Sequence, residues 1–257
     1  MEQNNMVDLV IFIGQSNMSG RGNAAESVVC KSGHGYEFRA VSDPTRLYDL
    51  VEPFGVNEHN PESGVNDHAM AGSMVSALCE SYFSLTNIPI VAVSCSMGGT
   101  DTEFWHPDKP PIQDAIARLK AAEKYLTDHS YSIRHRFMIW CQGEQDGFNG
   151  LPGEEYNVRL TAIINRMKTA GIEKCFVIQI GHQRDNDSFD EIIAAQETLC
   201  RENPDAVLAS VRFSEMRELM KDNCHFTQQG YNITGADAGL NMARCVLTGK
   251  KPLLYRK

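Results

Sequence analysis

The chain has 257 residues, 42% hydrophobic and 22% charged, which is the composition of a globular protein large enough to bury a core without disulfide or metal staples. Its 24 Lys and Arg against 33 Asp and Glu give a net charge of -9, and no basic run could follow a phosphate backbone, so nucleic acid is not an expected partner. No segment approaches the roughly 18 consecutive apolar residues of a membrane span.

The first predicted strand is the apolar run at residues 7–13. It has no basic segment before it and leads into Gly-Gln-Ser-Asn instead of a small-residue cleavage site, so we interpret it as a strand and not as a signal peptide. Eight scattered cysteines without a C-x-x-C pair are expected to be reduced and buried. Both observations favour a cytoplasmic location.

Apolar runs and helically spaced segments alternate along the rest of the chain. This alternation indicates βαβ units and predicts an α/β fold, namely a three-layer α/β/α domain with a central five-stranded parallel sheet. Without repeats or linkers, residues 1–257 are expected to form a single domain. Strands are predicted at residues 7–13, 90–94, 137–141, 175–180 and 206–211, and helices at 69–83, 112–127, 154–169, 189–202 and 227–247.

Residues 23–67 interrupt this alternation. They are rich in Gly, Pro, Ser, Asn and charged residues and show little periodicity. A segment of about 45 irregular residues in a compact domain is usually functional and often forms a pocket wall. A solvated surface decoration is the alternative.

Four of the five predicted strands end in unusual polar or glycine-rich sequences. In open parallel sheets, ligands bind beyond the carboxyl ends of the strands, so these sequences are the first place to look for a site. They are GQSNM, which begins at Gly14; CSMGGT, which begins at Cys95; QGEQD, which begins at Gln142; and DNCHFT, which begins at Asp222.

The first of these segments, GQSNMSGRG from Gly14 to Gly22, contains Ser16. A serine at this point is by itself compatible with a helix cap or a turn. The segment lacks the Gly-Lys-Ser/Thr of a Walker loop, and Met18 stands where the G-x-S-x-G elbow of common lipases has its last glycine. A phosphate-binding loop of another kind remains an alternative.

The last segment places Asp222 three residues before His225. The carboxylate can then accept the imidazole Nδ1–H and leave Nε2 available as a base. The spacing alone is common in proteins. Because it lies on the same predicted rim as Ser16, the three side chains together predict a catalytic triad with Ser16 as nucleophile.

The two middle segments offer donors for an oxyanion. Attack of a serine on an ester creates this charge, which preorganised hydrogen-bond donors must stabilise. Gly98 and Gly99 permit close approach of backbone N–H groups, and Gln142 carries a side-chain amide. With the N–H of Ser16, these three residues form the predicted oxyanion hole. A plain turn at the glycines and a strand-end role for Gln142 remain alternatives.

Other polar and aromatic residues near these segments are expected to support the site or to contact substrate. For Trp105 the alternative is packing onto the next helix, and for Arg21 it is pairing with a nearby acid. The histidine and cysteine spacings provide no zinc ligand set, so neither a metal nor an organic cofactor is expected. The supporting residues are Gln15, Asn17, Arg21, Glu144, Asp146 and Trp105.

The four segments, in this order, resemble the sequence blocks of the SGNH hydrolase superfamily, in the form found in its sialate O-acetylesterase and acetylxylan esterase branch, carbohydrate esterase family six. GQSNMSG from Gly14 resembles block I, SMGGT from Ser96 block II, WCQGEQD from Trp140 block III, and DNCH from Asp222, with Gly230, block V. The resemblance covers nearly the whole chain. It implies a three-layer α/β/α fold, serine-histidine-aspartate chemistry and removal of acetyl groups from sugars.

Block III departs from the superfamily pattern G-x-N-D, whose Asn donates to the oxyanion. Here the string is GEQD, with no Asn, and Gln145 also stands where the branch usually has Ser or Thr. The resemblance implies that Gln142 takes the role of donor, with Gln145 as second candidate.

Together these patterns predict a serine esterase that hydrolyses O-acetyl esters on a carbohydrate through an acetyl-enzyme intermediate. Acetylated xylan, O-acetyl sialic acid and small acetylated oligosaccharides all remain open as substrates. The alternatives are a non-catalytic carbohydrate-binding domain with the same fold, and a phosphate-handling hydrolase that uses the loop at residues 14–22. No pattern indicates the oligomeric state.

Overall fold

The structure, a computed structural model, describes residues 5–66 and 68–254. Within this part of the chain, seven strands form one sheet in the order β3-β2-β4-β1-β5-β6-β7. β3 pairs with β2 in antiparallel orientation, whereas the other neighbouring pairs are parallel. The strands are β1 (Met6–Gly14), β2 (Gly35–Arg39), β3 (Asp43–Asp49), β4 (Ile90–Ser96), β5 (Ser132–Cys141), β6 (Lys174–Ile178) and β7 (Ala206–Ser210).

The predicted strand number was wrong, because the sheet has seven strands where five were expected. The five predicted strands are present, and the additional β2 and β3 lie within residues 23–67, where irregular structure was expected. β3, with the sequence DPTRLYD, is partly to fully exposed along its length. An edge strand can carry proline and charges because one side of it needs no pairing, so its composition does not resemble that of a core strand. Asp67, the last residue of that segment, lies outside the described residues.

The five predicted helices are present within a few residues of their expected bounds, except that the first begins at Val75 and not at residue 69. Before that point the chain runs beside the nucleophile loop, since Gly72 O accepts the Gly22 N–H and Ser73 Oγ accepts the Val75 N–H. Three helices of four or five residues were not predicted. The helices are α1 (Ser16–Ser19), α2 (Val75–Thr86), α3 (Pro110–Asp128), α4 (Glu144–Phe148), α5 (Gly153–Thr169), α6 (Asp190–Glu202), α7 (Arg212–Glu215) and α8 (Gln228–Thr248).

The core has two halves, one on each face of the sheet. Alternate residues of β1 point to opposite faces, so Leu9, Ile11 and Ile13 join one buried cluster while Val10 and Phe12 join the other. Residues of α3, α5 and α6 contribute to the first cluster, and residues of α2 and α8 contribute to the second. This arrangement confirms the predicted three-layer α/β/α fold.

The central strands end side by side, and this arrangement positions the site. In the parallel register, Gly14 at the end of β1 lies opposite Ser96 of β4 and Cys141 of β5. The segments that follow these three strands therefore leave the sheet at the same edge, as expected for the strand ends of a parallel sheet.

The cysteines and the helices bear on two expectations from the sequence. All eight cysteines are free thiols; seven are buried and Cys224 is half-buried. Within the described part of the chain, every helix is too short or too polar to span a lipid bilayer.

Candidate active site

Ser16 begins α1 directly after β1, and the close packing of two strand ends holds it there. A Cβ atom at Gly14 would lie 2.0 Å from the carbonyl oxygen of Cys141, so only glycine permits this approach. The Gln15 N–H then donates to the same carbonyl oxygen at 3.0 Å. The chain turns sharply at this point, and Ser16 lines the cleft beside the sheet edge.

The structure brings Ser16, His225 and Asp222 together in one chain of hydrogen bonds. His225 Nε2 lies 2.8 Å from Ser16 Oγ, and its Nδ1 lies 2.9 Å from Asp222 Oδ2. The nucleophile loop and the segment before α8 are 209 residues apart in sequence. With Nδ1 protonated toward the carboxylate, Nε2 can accept the serine proton.

Asp222 is held as a carboxylate by its own turn. Its Oδ1 accepts the backbone N–H groups of Cys224 at 3.0 Å and His225 at 2.8 Å. Partial burial alone would raise the pKa of Asp222, but these two N–H groups and the imidazole outweigh burial, and the pKa is lowered. The anion is therefore present at neutral pH to orient the imidazole.

Cys224 also lines the cleft, with its Sγ 3.7 Å from both ring nitrogens of His225. Burial, with smaller contributions from Glu144 and Asp222, raises the pKa of this thiol to about 12. The thiolate is the nucleophilic form, so Cys224 is inert at neutral pH beside Ser16. The ligand atoms of Asp222, Cys224 and His225 lie within 4.8 Å of one another, but both imidazole nitrogens already contact Asp222 and Ser16.

Gly98 and Gly99 line the same cleft as His225 and lie in the segment after β4. Gly99 has a φ of +71°, a backbone conformation that residues other than glycine rarely adopt. The turn after β4 therefore depends on glycine at this position, and it lines the same cleft as Ser16.

Gln142 does not lie where it was expected. Its side chain is fully buried, and its amide nitrogen donates to the Asp146 carboxylate, to the Thr100 carbonyl oxygen at 3.1 Å and to Gln15 Oε1 at 3.3 Å. It faces these three acceptors beneath the cleft floor. This geometry corrects the expectation that Gln142 donates directly to an oxyanion.

The comparisons with known proteins bear on this geometry. Residues 6–244 match the family model described as carbohydrate esterase, sialic acid-specific acetylesterase. The chain belongs to this family. The resemblance noted in the sequence blocks is thereby confirmed, and the protein is a carboxylic ester hydrolase and not a non-catalytic binding domain.

Solved structures share the fold of the esterase. A protein of Arabidopsis thaliana superposes with a TM-score of 0.68 at 17% identity, covering 92% of this chain and 97% of that one. NanS superposes with a TM-score of 0.65 at 14% identity, covering 97% and 100%. A carbohydrate acetylesterase from Xanthomonas citri gives a TM-score of 0.59 at 14% identity, covering 95% of this chain and 57% of that one. No curated protein matches the sequence.

Asn17 connects three parts of the esterase behind the nucleophile. Its Nδ2 donates to Glu144 Oε1 at 2.5 Å and to the Cys224 carbonyl oxygen at 2.9 Å, and its Oδ1 accepts the Tyr231 hydroxyl at 2.7 Å. All of these side chains except that of Cys224 are buried. Asn17 thus ties α1 to α4, to α8 and to the loop that carries His225.

Asp146 supports the segment after β4. It accepts the backbone N–H and the hydroxyl of Thr102, and the amide of Gln142. Burial raises its pKa, against these hydrogen bonds, which lower it. Asp146 therefore holds β5 and the glycine turn together beneath the cleft and does not contact substrate.

For Trp105 the structure favours the packing alternative over contact with substrate. The side chain is 0% exposed, donates from Nε1 to Thr100 Oγ1 at 3.0 Å, and packs edge-on against Trp140 with 6.3 Å between ring centroids. It belongs to the core and cannot reach a substrate.

The cleft above the triad has a volume of about 580 Å³. Arg21 lies in its wall, where Nη1 donates to the carbonyl oxygens of Gly20 and Ala69. The lining of this cleft also includes His68 and Phe148, which the sequence did not single out, since each is an isolated residue outside any recognisable motif.

A larger groove of about 770 Å³ between α5 and α6 has neither histidine nor cysteine in its lining.

Glu144 leads to a prediction about stability. Burial raises its pKa to about 7, although the Asn17 hydrogen bond lowers it, and Oε2 has no partner among the described residues. At pH values between the ordinary pKa of a glutamate and about 7, the Glu144 side chain is protonated in the folded esterase and ionised in the unfolded chain. The stability that this proton contributes is therefore complete at low pH and is lost as the pH rises through that window.

Glu144→Gln removes this titration. We expect the variant's free energy of unfolding, relative to the wild type, to rise by up to about 3 kcal/mol between pH 4.5 and 8. Urea denaturation at both pH values measures the change. Glu154→Gln, at an exposed position on α5, serves as the control. An equal difference between Glu144→Gln and wild type at both pH values would refute the prediction.

Proposed function

We propose that the esterase removes acetyl groups from the hydroxyls of a carbohydrate through an acetyl-enzyme formed on Ser16. The observation that carries the proposal is the hydrogen-bonded chain from Asp222 through His225 to Ser16 Oγ, which opens into the cleft. Family membership supports O-acetyl ester hydrolysis as the reaction.

In the first half-reaction, Ser16 Oγ attacks the acetyl carbonyl carbon while its proton passes to His225 Nε2. The carbonyl oxygen becomes an oxyanion, which the N–H groups of Ser16 and of Gly98 or Gly99 stabilise. When this intermediate collapses, the bond to the sugar oxygen breaks and the imidazolium donates its proton to that oxygen. The sugar leaves with its free hydroxyl, and the acetyl group stays on Ser16.

In the second half-reaction, a water molecule replaces the sugar. His225 accepts a proton from water while the water oxygen attacks the acetyl carbonyl carbon. The bond to Ser16 Oγ then breaks, His225 returns that proton to Ser16 Oγ, and the product leaves as acetic acid, which loses its remaining proton to solvent to give acetate. Asp222 remains a carboxylate throughout and stabilises the imidazolium in both halves.

For the substrate we propose an O-acetylated sialic acid ahead of acetylated xylan. The description of the family names sialic acid, and Arg21, whose guanidinium is a group suited to a sugar carboxylate, is among the residues that line the cleft. Acetylated xylo-oligosaccharides are neutral and would gain nothing from it.

Acetate release from O-acetyl sialic acid, acetylated xylo-oligosaccharides and an aryl acetate tests both parts of the proposal. We expect kcat/KM for the sialic acid ester to exceed that for the xylo-oligosaccharide by at least about tenfold, a difference of about 1.4 kcal/mol in transition-state binding. A preference for the neutral substrate would overturn the choice of sugar. No acetate from any ester, or turnover of a phosphate ester instead, would overturn the reaction.

A further inference from the structure

The oxyanion hole needs another donor, because Gln142 faces away from the cleft. Its amide nitrogen is engaged by Asp146, Thr100 and Gln15, and the side chain is fully buried. Gln145, the second candidate, lies in the cleft wall, but its amide nitrogen donates along α4 to Asn149 Oδ1 at 3.0 Å. The residue that remains in the cleft with a side-chain amide is Gln15, which directly precedes the nucleophile.

The orientation of the Gln15 amide follows from its partners. Its Oε1 lies 3.4 Å from the backbone nitrogen of Gly143, 3.3 Å from that of Gln145 and 3.3 Å from Gln142 Nε2. A backbone N–H can only donate, so the atom facing these groups must be the oxygen. Among the described residues, every hydrogen bond of this side chain ends on Oε1. The nitrogen therefore lies on the side away from α4, and Gln15 itself is in the cleft lining.

We propose that Gln15 Nε2 is the side-chain donor of the oxyanion hole, and that Gln142 and the first turn of α4 are the groups that position it. The inference rests on the proposed function, since it assigns a residue within that same reaction. Gln15 forms and breaks no covalent bond. Its N–H donates to the acetyl carbonyl oxygen and binds it more strongly as the negative charge develops, so its contribution falls on kcat more than on KM.

Three engineered esterases test this assignment on the full chain. Gln15→Glu keeps an oxygen for the N–H groups of α4 but has no donor, whereas Gln15→Ala removes the whole side chain. Gln145→Ala tests the rival donor, since Gln145 lines the same cleft. We expect each change at position 15 to lower kcat by about 10²- to 10³-fold with KM altered by less than about threefold, and Gln145→Ala to lower kcat less than either of them.

A second readout separates a catalytic role from a structural one. A small alkylboronic acid forms a tetrahedral adduct with a serine nucleophile and mimics the oxyanion. We expect its inhibition constant to rise in Gln15→Glu by about the same factor as kcat falls, with the midpoint of thermal unfolding unchanged. If Gln15→Ala does not fold, Gln15→Glu still decides the matter.

Gln15→Glu with more than about a third of the wild-type kcat would overturn the proposal. So would a larger loss in Gln145→Ala than in either variant at position 15, or an unchanged boronic acid constant. Ser16→Ala in the same assay distinguishes failure of the Gln15 assignment from failure of the serine mechanism. If Ser16→Ala is inactive while the Gln15 variants are active, only the assignment of Gln15 fails. If Ser16→Ala is active, the serine mechanism itself fails.

Discussion

Replacement of Ser16 with alanine is expected to lower kcat for acetate release by about 10⁵-fold. The hydroxyl is the atom that His225 Nε2 contacts at 2.8 Å, and among the described residues that line the cleft we expect no other group to take its place. The Cys224 thiol is the nearest candidate, and burial raises its pKa to about 12. The residual rate would come from substrate binding and from backbone N–H groups, which the substitution keeps. Acetate release from an aryl acetate at pH 7 measures the change.

Ser19→Ala is the matched control for this variant. Ser19 lies in the same short helix, but its hydroxyl donates to Ser96 Oγ at 2.9 Å behind the cleft. We expect Ser19→Ala to retain kcat within about tenfold, because it alters packing and no reacting atom. Comparable losses in the two variants would show that the helix, and not the Ser16 hydroxyl, is what activity requires.

Asp222→Asn is expected to lower kcat by about 10⁴-fold. The carboxylate accepts the Nδ1 proton of His225 at 2.9 Å and thereby fixes the tautomer whose Nε2 is a base. An asparagine amide can instead donate to Nδ1, which leaves the proton on Nε2 and directs it at Ser16. Acetate release at pH 7 reports the effect, with KM expected to change little because Asp222 does not bind substrate.

Glu173→Gln controls for the loss of a carboxylate–imidazole pair as such. Glu173 Oε2 lies 2.8 Å from Nδ1 of His135, near the start of β5 and so at the opposite end of the sheet from the triad. This variant should keep the wild-type kcat. If Asp222→Asn did the same, the carboxylate would have no part in orienting the base.

The position of the triad could be predicted because parallel strands present their carboxyl ends at one edge. The five apolar runs identify the buried strands, and Ser16 and His225 follow from what comes after the first and last of them. The strands β2 and β3 could not be found this way, since β3 lies at the sheet edge and carries charges that solvent accommodates.

Side-chain direction explains the other differences between sequence and structure. Gln142 and Gln15 are both amides beside the nucleophile, and only the contacts of Gln142 with Asp146 and Thr100 decide which of them lies beneath the cleft. Trp105 follows a glycine turn as a substrate platform would, but packing against Trp140 buries it. These outcomes depend on partners distant in sequence, which local patterns do not encode.

Direct detection of the acetyl-enzyme on Ser16 is the sharpest test of the proposed mechanism. The esterase is mixed with an activated acetate ester, quenched in acid within the first turnovers, digested, and its peptides analysed by mass spectrometry. We expect one added acetyl group, on Ser16, that is absent from Ser16→Ala and disappears when the mixture is left to turn over. An acetyl group on Cys224, or rapid acetate release with no modified peptide at any time, would contradict it.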